Sequence, residues 1–379
     1  MNLATNAASM RDSNRKLILN LLRLEPMARA DLAERTNLTR ASITLIVDEL
    51  ISEGLVEEAN IIESVALGRK RTRLVLCHNA RFAFGVSLHR RRCYVGVADL
   101  YGDVIEETDF ATEGCSWSQI TDRIVKEIGS IKARSGIPDE KILGIGISAP
   151  GPVDYIEGRI LNPHNFGDWK DIPICSILTE RTGYTALLER DSAARTLEER
   201  FFGAAKDSSN FMLVQIGGGV GAGVMTRDKL YRGSRGLGTE MGHMSISMDG
   251  PECSCGNRGC LEAYLNISHF LADSRFESWR ELIDESGAPD AQILLDRAAG
   301  WLSAAFINAF NLYDIERILL VGSDFAGAAT PLVTRINKLM ENKIFIHDRM
   351  QGDVVAQGNT VGSSRTGATA MLYSTFCER

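Results

Sequence analysis

Apolar and polar side chains in the first eighty residues recur with the spacing of short amphipathic helices. Two apolar sets repeat at helical intervals: Leu17, Ile18, Leu21 and Leu22 in one, and Ile43, Ile46, Val47, Leu50 and Ile51 in the other. Thr39 stands at the N-cap position of the third helical segment, and Gly54 stands where that segment ends. The pattern predicts three short helices followed by a two-stranded hairpin.

From about residue 81 the pattern changes to apolar strands that alternate with helices. The segments FAFGVSL, CYVGVADL and DVIEETDF are typical of consecutive strands, and ILGIGISAP and ERILLVGSD of buried strands that end in glycine-rich turns. Two similar halves lie on either side of residue 200. The pattern predicts an α/β body with a ligand site at the carboxyl ends of its strands.

Charge is distributed unevenly along the 379 residues, whose net charge is −7. Residues 1–80 contain 11 basic and 10 acidic side chains, whereas the remainder contains 31 and 39. The acidic average therefore does not exclude a nucleic-acid partner, because local charge is what meets phosphate. No apolar run approaches the ~20 residues of a membrane helix, and no secretion signal precedes the first helix. We expect a cytoplasmic protein without membrane insertion.

The N-terminal pattern is typical of a winged helix-turn-helix domain whose third helix enters the major groove of double-stranded DNA. Its candidate DNA contacts are Thr39, Arg40, Ser42 and Thr44 on the helix and Arg69, Lys70 and Arg71 on the wing. Arg40 and Thr44 are the strongest candidates for contacts with base edges or phosphates. The alternative is a small helical bundle that mediates dimerisation, with a solvated basic turn. The capped helix together with the basic wing favours DNA.

Three of the eight cysteines lie within eight residues, downstream of a histidine. His243, Cys253, Cys255 and Cys260 have the spacing H-x9-C-x-C-x4-C, which suits a closed structural zinc site. Gly256 allows the loop to turn tightly. The alternative, four unrelated residues in a loop, is disfavoured because this pattern has little other use in a reducing compartment. The remaining cysteines are isolated, which is typical of ordinary core or surface residues.

The segment GTEMGHMSISMDGPECSCGNRGCLEAYLN, residues 238–266, resembles the signature of the ROK family of repressors, open reading frames and kinases. APGPVD, LERDSAARTLEERFFGAA and GGGVGAG follow the family's order, and the N-terminal segment is similar to its repressor branch. The resemblance implies an actin/hexokinase-like body of two α/β lobes around a sugar cleft, with one structural zinc. The implied domains are a DNA-binding domain at 1–80, a first lobe at 81–191 with a C-terminal helix at about 364–379, and a second lobe at 192–363. The second lobe would carry the zinc loop and a dimerisation surface.

The resemblance also implies a set of sugar-binding residues: Asn165, Asp191, Glu240, His243 and Glu262. In the kinases, the residue at the position of Asp191 is the general base that accepts the sugar hydroxyl proton. The family usually has Asn before this Asp and two residues after it, whereas this chain has Arg190 and Ala193. Asp191 is therefore expected to hold a hydroxyl without catalysis. Taken singly, each carboxylate has the alternative reading of a surface charge.

The phosphate-handling residues of the kinases are missing. Their D-x-G-G-T motif falls on residues 87–91, which read Ser-Leu-His-Arg-Arg, so the metal-binding carboxylate and the glycines are replaced by other residues. The Gly-Thr-Gly loop has become GGG at 217–219, and the later nucleotide loop reads VGSDF at 321–325. These departures predict a sugar-responsive repressor that is not an enzyme. Arg90–Arg92 either bind an anion such as a sugar phosphate or form a solvated turn.

Two other functions stay open. One is a ROK sugar kinase that carries an added DNA-binding domain and keeps activity through a rearranged nucleotide site. The other is a protein-docking body sequestered by a sugar-transport protein, as the family resemblance suggests. In the favoured interpretation, the chain is a homodimer or tetramer that reads a palindromic operator and responds to a sugar or sugar phosphate.

Overall fold

The computed structural model describes residues 7–59, 72–163, 169–322, 330–345, 352–356 and 362–376. The N-terminal segment begins with helices α1 (Ala7–Leu24), α2 (Arg29–Thr36) and α3 (Arg40–Ser52). Strands β1 (Val56–Ala59) and β2 (Arg73–Leu76) follow and pair in antiparallel fashion. The predicted three helices and two-stranded hairpin are therefore confirmed as elements.

The first α/β sheet has five strands in the order β5-β4-β3-β6-β9. Its strands are β3 (Phe82–Leu88), β4 (Arg92–Asp99), β5 (Val104–Ala111), β6 (Ile142–Ala149) and β9 (Ala186–Arg190). Its helices are α4 (Trp117–Ser135), α5 (Ile174–Thr182) and the C-terminal α12 (Ser364–Phe376). Two short strands, β7 (Val153–Asp154) and β8 (Arg159–Ile160), come between β6 and α5. Strand β3 pairs antiparallel with β4 and parallel with β6.

The second α/β sheet repeats this arrangement in the order β12-β11-β10-β13-β14. Its strands are β10 (Phe211–Ile216), β11 (Val220–Thr226), β12 (Lys229–Leu230), β13 (Arg317–Val321) and β14 (Asp353–Ala356). Its helices are α6 (Asp191–Phe202), α7 (Leu261–Leu265), α8 (Ile267–Phe270), α9 (Trp279–Asp284), α10 (Pro289–Tyr313) and α11 (Thr330–Met340). Strand β10 pairs antiparallel with β11 and parallel with β13, as β3 does with its neighbours. The predicted pair of similar α/β halves is confirmed.

Helix α12 lies directly on the first sheet because glycines remove side chains from the contact. A Cβ atom at Gly85 of β3 would lie 1.9 Å from the carbonyl oxygen of Ser364, at the start of α12. A Cβ at Gly146 of β6 would lie 2.1 Å from the carbonyl oxygen of Gly367, one turn further along. No larger residue fits at either strand position without separating the helix from the sheet.

The chain divides into two compact units. The first contains residues 1–151, 155–189 and 363–379, and the second contains residues 152–154 and 190–362. The N-terminal helices belong to the first unit, so the domain boundaries implied by the family resemblance stay a prediction. In the second unit one core forms between the sheet and helices α10 and α11 and includes Phe306, Phe310 and Trp279, while α6 packs against β10 and β11.

None of the described helices combines the length and the apolar character that a membrane-spanning helix needs.

Candidate functional site

Helix α3 presents the predicted DNA-contacting residues on its exposed N-terminal end. The Thr39 side chain caps the helix by accepting a hydrogen bond of 3.1 Å from the backbone N–H of Ser42. The turn before it closes through Asn37, whose φ is 55°. Ile43, Ile46, Val47 and Leu50 are buried on the opposite face, as predicted. The cap therefore fixes the direction in which the exposed end of the helix points.

The side chains at this end of the helix differ in their exposure and in the hydrogen bonds that they form within the helix. Arg40 and Thr44 are exposed, and the Thr44 hydroxyl donates to the Arg40 carbonyl oxygen at 2.9 Å. The hydroxyl oxygens of Thr39 and Ser42 lie 2.9 Å apart. Three of the four predicted contacts thus also stabilise the helix terminus. Sequence reasoning missed Leu45, whose exposed fraction is 66% on the same helix and whose methyl groups suit a thymine methyl.

The predicted wing contacts Arg69, Lys70 and Arg71 lie outside the described residues. The hairpin is described again from residue 72, and Arg73 at the start of β2 donates to the carbonyl oxygen of Pro26 at 3.2 Å. Strand β2 also pairs with Met27, in the connection between α1 and α2. The second strand of the hairpin is therefore attached to the helices.

The predicted metal ligands come together in space. His243 ends a single helical turn that begins at Met241, and the cysteines follow on a tight loop. One ligand atom from each of His243, Cys253, Cys255 and Cys260 lies within 4.8 Å of every other. His243 Nδ1 is 3.6 Å from Cys253 Sγ, and Cys255 Sγ is 3.7 Å from Cys260 Sγ. Tetrahedral zinc with ordinary bond lengths would separate N and S by about 3.6 Å and two sulfurs by about 3.8 Å.

The surroundings of the cluster also suit a closed metal site. The side-chain amide of Asn257 donates to Cys260 Sγ at 3.4 Å, as an outer partner of a thiolate does. Burial, reinforced by the neighbouring thiols, raises the pKa of Cys260 to about 12, whereas a backbone hydrogen bond from Asn257 lowers the pKa of Cys255. A bound zinc ion overrides both shifts because it deprotonates a coordinating thiol. The residues therefore fit structural zinc.

Four of the five predicted sugar-binding residues belong to the second unit. Asp191 begins α6, Glu240 precedes the turn that carries His243, and Glu262 lies in α7, two residues after Cys260. Asn165, the fifth, lies outside the described residues.

Each of the three carboxylates is oriented by a donor from the protein. Asp191 Oδ1 accepts from the backbone N–H of Ser192 at 2.7 Å, and Glu262 Oε2 accepts from that of Val220 at 2.7 Å. Glu240 Oε1 forms an ion pair with Arg190. An ionised carboxylate is an acceptor with about four lone-pair sites, so a group of this kind can accept hydrogen bonds from the hydroxyl groups of a ligand.

Two features near these carboxylates were not predicted from the sequence. The glycine turn at 217–219 was compared only with the nucleotide loop of the kinases, yet a Cβ at Gly219 would lie 2.5 Å from Glu262 Oε2. A side chain at position 219 would therefore displace that carboxylate. Arg190 was noted as a departure from the family, but its partners were not foreseen. A basic residue directly before a candidate ligand was the available signal.

Ser87, which the family resemblance aligns with the magnesium ligand of the kinases, is a buried serine. Ser87 has no exposed surface, and its hydroxyl donates to the carbonyl oxygen of Ser363 at 2.6 Å and accepts from the backbone N–H of Gly367 at 3.1 Å. The hydroxyl is thus bonded to the first turn of α12. His89, Arg90 and Arg91 follow in the turn between β3 and β4, as predicted from the chain order.

A second group of possible metal ligands, His78, Asp99 and Asp103, lies at the turn after β4. Asp99 Oδ1 accepts from the backbone N–H groups of Tyr101 and Asp103, both at 2.9 Å, and Oδ2 lies 3.1 Å from His78 Nδ1. These hydrogen bonds give the buried Asp99 carboxylate a structural role, because they hold the turn in its conformation.

The repeated α/β sheets, the three N-terminal helices with their hairpin and the His/Cys cluster define an α/β protein of two compact units. The sequence model described as "ROK family" matches residues 84–374, which is most of the chain. The chain therefore belongs to the ROK family.

Three individual proteins illustrate the similarity. The chain is 31% identical to the xylose repressor of Bacillus spizizenii over 317 residues, which cover 82% of each protein. The crystal structure of a ROK family transcriptional regulator, a homologue of the E. coli Mlc protein, superposes with a TM-score of 0.82 at 24% identity and covers 97% of both chains. A ROK hexokinase from Thermus thermophilus superposes with a TM-score of 0.66 at 24% identity, over 77% of this chain and 97% of the hexokinase. The predicted actin/hexokinase-like fold class is confirmed.

Proposed function

We propose that the chain is a sugar-responsive, DNA-binding transcriptional repressor of the ROK family. The observation that carries this proposal is Ser87, because its hydroxyl is bonded to α12 at the position where the kinases place a magnesium-binding carboxylate. A nucleotide site without that carboxylate and without its glycines lacks the groups that hold metal and phosphate. The similarity to the xylose repressor across 82% of the chain supports the same function.

The sugar-binding role rests on the acceptor groups of the second unit. Asp191, Glu240 and Glu262 are each oriented by a protein donor, which gives a sugar's hydroxyl groups rigid acceptors. His243 directs Nδ1 toward Cys253, so Nε2 is the nitrogen assigned to the sugar. Asn165 is the proposed fifth contact. A zinc ion held by His243, Cys253, Cys255 and Cys260 would have a structural role and would not take part in a reaction. It would fix the loop that carries these four ligands.

In this proposal the protein acts in the cytoplasm as a homodimer or tetramer, and sugar binding changes its affinity for an operator. Arg40, Thr44 and the wing residues contact DNA, with Thr39 and Ser42 shaping the helix terminus. Because phosphate contacts release counterions, binding should weaken steeply as salt concentration rises.

The test is selection of duplex fragments from the source genome by the purified protein, followed by mobility-shift titration with and without D-xylose, D-glucose and N-acetylglucosamine. Arg40→Ala should weaken binding to a selected fragment by about 5- to 150-fold, the loss of ~1–3 kcal/mol expected for a base contact. Arg181→Ala, which removes an exposed arginine paired with Asp122 in the first lobe, is the matched control. Binding that is indifferent to Arg40 would contradict the assignment of α3.

A sugar kinase with an added DNA-binding domain is the second candidate, favoured by the superposition on the Thermus hexokinase. Sugar-dependent turnover of ATP at about 1 s⁻¹ or faster would establish it and reject the repressor as the sole function. If the protein binds DNA but no sugar changes its affinity or melting temperature, docking to a sugar-transport protein becomes the favoured means of regulation.

A further inference from the structure

Arg190 contacts two parts of the second unit that lie far from it in the sequence, Ala222 in β11 and the adjacent pair Thr239 and Glu240. It is the last residue of β9 and directly precedes Asp191. Its guanidinium donates to Glu240 Oε1, to the carbonyl oxygen of Ala222 at 2.7 Å and to Thr239 Oγ1 at 2.5 Å. Its side chain is 12% exposed, against 43% for Glu240. The fork of the guanidinium is therefore largely buried behind the carboxylate that it binds.

Thr239 is held in an unfavourable backbone conformation at this point. Its φ is 66°, in the left-handed region, where a β-branched residue is a genuine outlier. The other non-glycine residues with positive φ in the described ranges are Asn, Asp and Arg. A conformation of this kind persists only where the surroundings enforce it.

The enforcing contacts are a closed set of hydrogen bonds. Thr239 Oγ1 donates to the carbonyl oxygen of Ala222 at 3.0 Å and accepts from Arg190, which also donates to the same carbonyl. Ala222 belongs to the central part of β11, so both side chains are attached to the sheet. Glu240 follows Thr239 directly, and the bond to Arg190 fixes one of its oxygens. The direction of the other oxygen is then set by the same contacts.

We propose that Arg190 is a positioning residue of the effector site, which holds Thr239 in its left-handed conformation and thereby presents Glu240 to the sugar. This inference rests on the proposed function, since Glu240 is taken as a sugar ligand. Arginine carries five donors in a planar fork and no acceptor. Lysine or asparagine at this position cannot reach the carboxylate, the carbonyl and the threonine hydroxyl together.

The test compares Arg190→Gln with Arg235→Gln, which removes the same charge from an exposed position in the preceding loop. Sugar binding is measured by calorimetric titration with D-xylose, D-glucose and N-acetylglucosamine, and zinc content and DNA affinity are measured in parallel. Arg190→Gln should weaken binding of the responding sugar by about tenfold or more. Loss of a residue that orients a ligand has an effect of this size at metal sites. Zinc content and DNA affinity should be unchanged, and Arg235→Gln should bind sugar like the native protein.

A rescue variant separates positioning from mere stabilisation. Glycine adopts positive φ without steric cost, so Thr239→Gly in the Arg190→Gln background should recover part of the lost sugar affinity. A purely structural role for Arg190 predicts a further loss instead. If Arg190→Gln does not fold, Arg190→Lys keeps the cation without the fork and should show the same selective loss.

The outcomes distinguish this inference from the proposed function. Native-like sugar binding by Arg190→Gln, or a double variant weaker than Arg190→Gln alone, would overturn the positioning role and leave the sugar site standing. Failure of the native protein to bind any of the three sugars would reject the proposed sugar site, and the positioning role with it.

Discussion

The turn between β3 and β4 and the turn between β10 and β11 occupy the same place in two sheets of the same order. The first contains His89, Arg90 and Arg91, and the second is Gly217–Gly219. Each turn follows the central strand of its sheet and connects it to an antiparallel neighbour. The two sites therefore differ in side chains and hydrogen bonds on a shared backbone plan.

The first turn directs its backbone bonds toward its own sheet. The N–H of His89 donates to the carbonyl oxygen of Arg92 at 2.9 Å. The buried hydroxyl of Thr112 lies within hydrogen-bond distance of the carbonyl oxygens of His89 and Arg90, at 3.1 and 3.0 Å. Ser87, at the end of β3, is bonded to α12. A phosphate would have to displace these contacts as well as the bulky side chains.

The second turn instead offers its backbone to another functional group. The N–H of Val220 donates to Glu262 Oε2, and the missing side chain at Gly219 makes room for that carboxylate. The same supersecondary unit thus stabilises the fold in one lobe, whereas in the other it orients Glu262, a candidate sugar-binding residue. Local chemistry at the end of a strand, rather than the fold, decides which of the two occurs.

The largest expected effect comes from removing the proposed metal support of the second turn. Cys260→Ser should abolish stoichiometric zinc and lower stability by about 5 kcal/mol or more, because structural zinc contributes its binding energy to folding. Glu262 lies two residues beyond Cys260, so the orientation of its carboxylate should be lost too. Elemental analysis and thermal melting measure these effects.

The matched control is Cys115→Ser, which alters an exposed cysteine outside the cluster. It should leave the zinc content and the melting temperature unchanged. A Cys260→Ser protein with one zinc per chain and a native melting temperature would show that the cluster does not support the second turn.

The next largest effect should follow from restoring the kinase carboxylate in the first turn. Ser87→Asp replaces a hydroxyl that donates to Ser363 and accepts from Gly367 with an acceptor-only group in a fully buried position. We expect a loss of about 3 kcal/mol from the buried charge and from the lost hydrogen bond to the Ser363 carbonyl oxygen, measured by urea unfolding. Ser87→Ala should cost only about 1 kcal/mol.

Binding of ATP to Ser87→Asp with native stability would contradict this comparison. It would mean that the first turn still accepts phosphate and that α12 can move away from Ser87 without a loss of stability. The native protein is the reference for both measurements, since its serine has both hydrogen bonds.

The sequence predicted the elements and the grouping of the four candidate metal ligands because both follow from local patterns. Helical spacing located α3, and the interval between His243 and Cys260 located the metal cluster, whose atoms the structure brings within 4.8 Å. Contacts between residues far apart in the chain could not be predicted from the sequence. Nothing near Ser87 indicates Gly367, and nothing near Arg190 indicates Thr239, because such contacts depend on how a helix or loop returns to a strand. The positive φ of Thr239 was likewise invisible, since threonine does not favour it.

The smallest expected effect tests the second turn alone, through Gly219→Ala and Gly218→Ala. A Cβ at position 219 would lie 2.5 Å from Glu262 Oε2, whereas one at position 218 meets nothing within 4 Å. Neither glycine has positive φ, so the substitutions differ only in this contact. Gly219→Ala should displace the carboxylate and weaken sugar binding about tenfold, equivalent to ~1.4 kcal/mol, while Gly218→Ala should bind normally. Equal sugar affinities for the two variants in a calorimetric titration would mean that Glu262 does not act as a sugar ligand, and the contrast between the two turns would then reduce to packing.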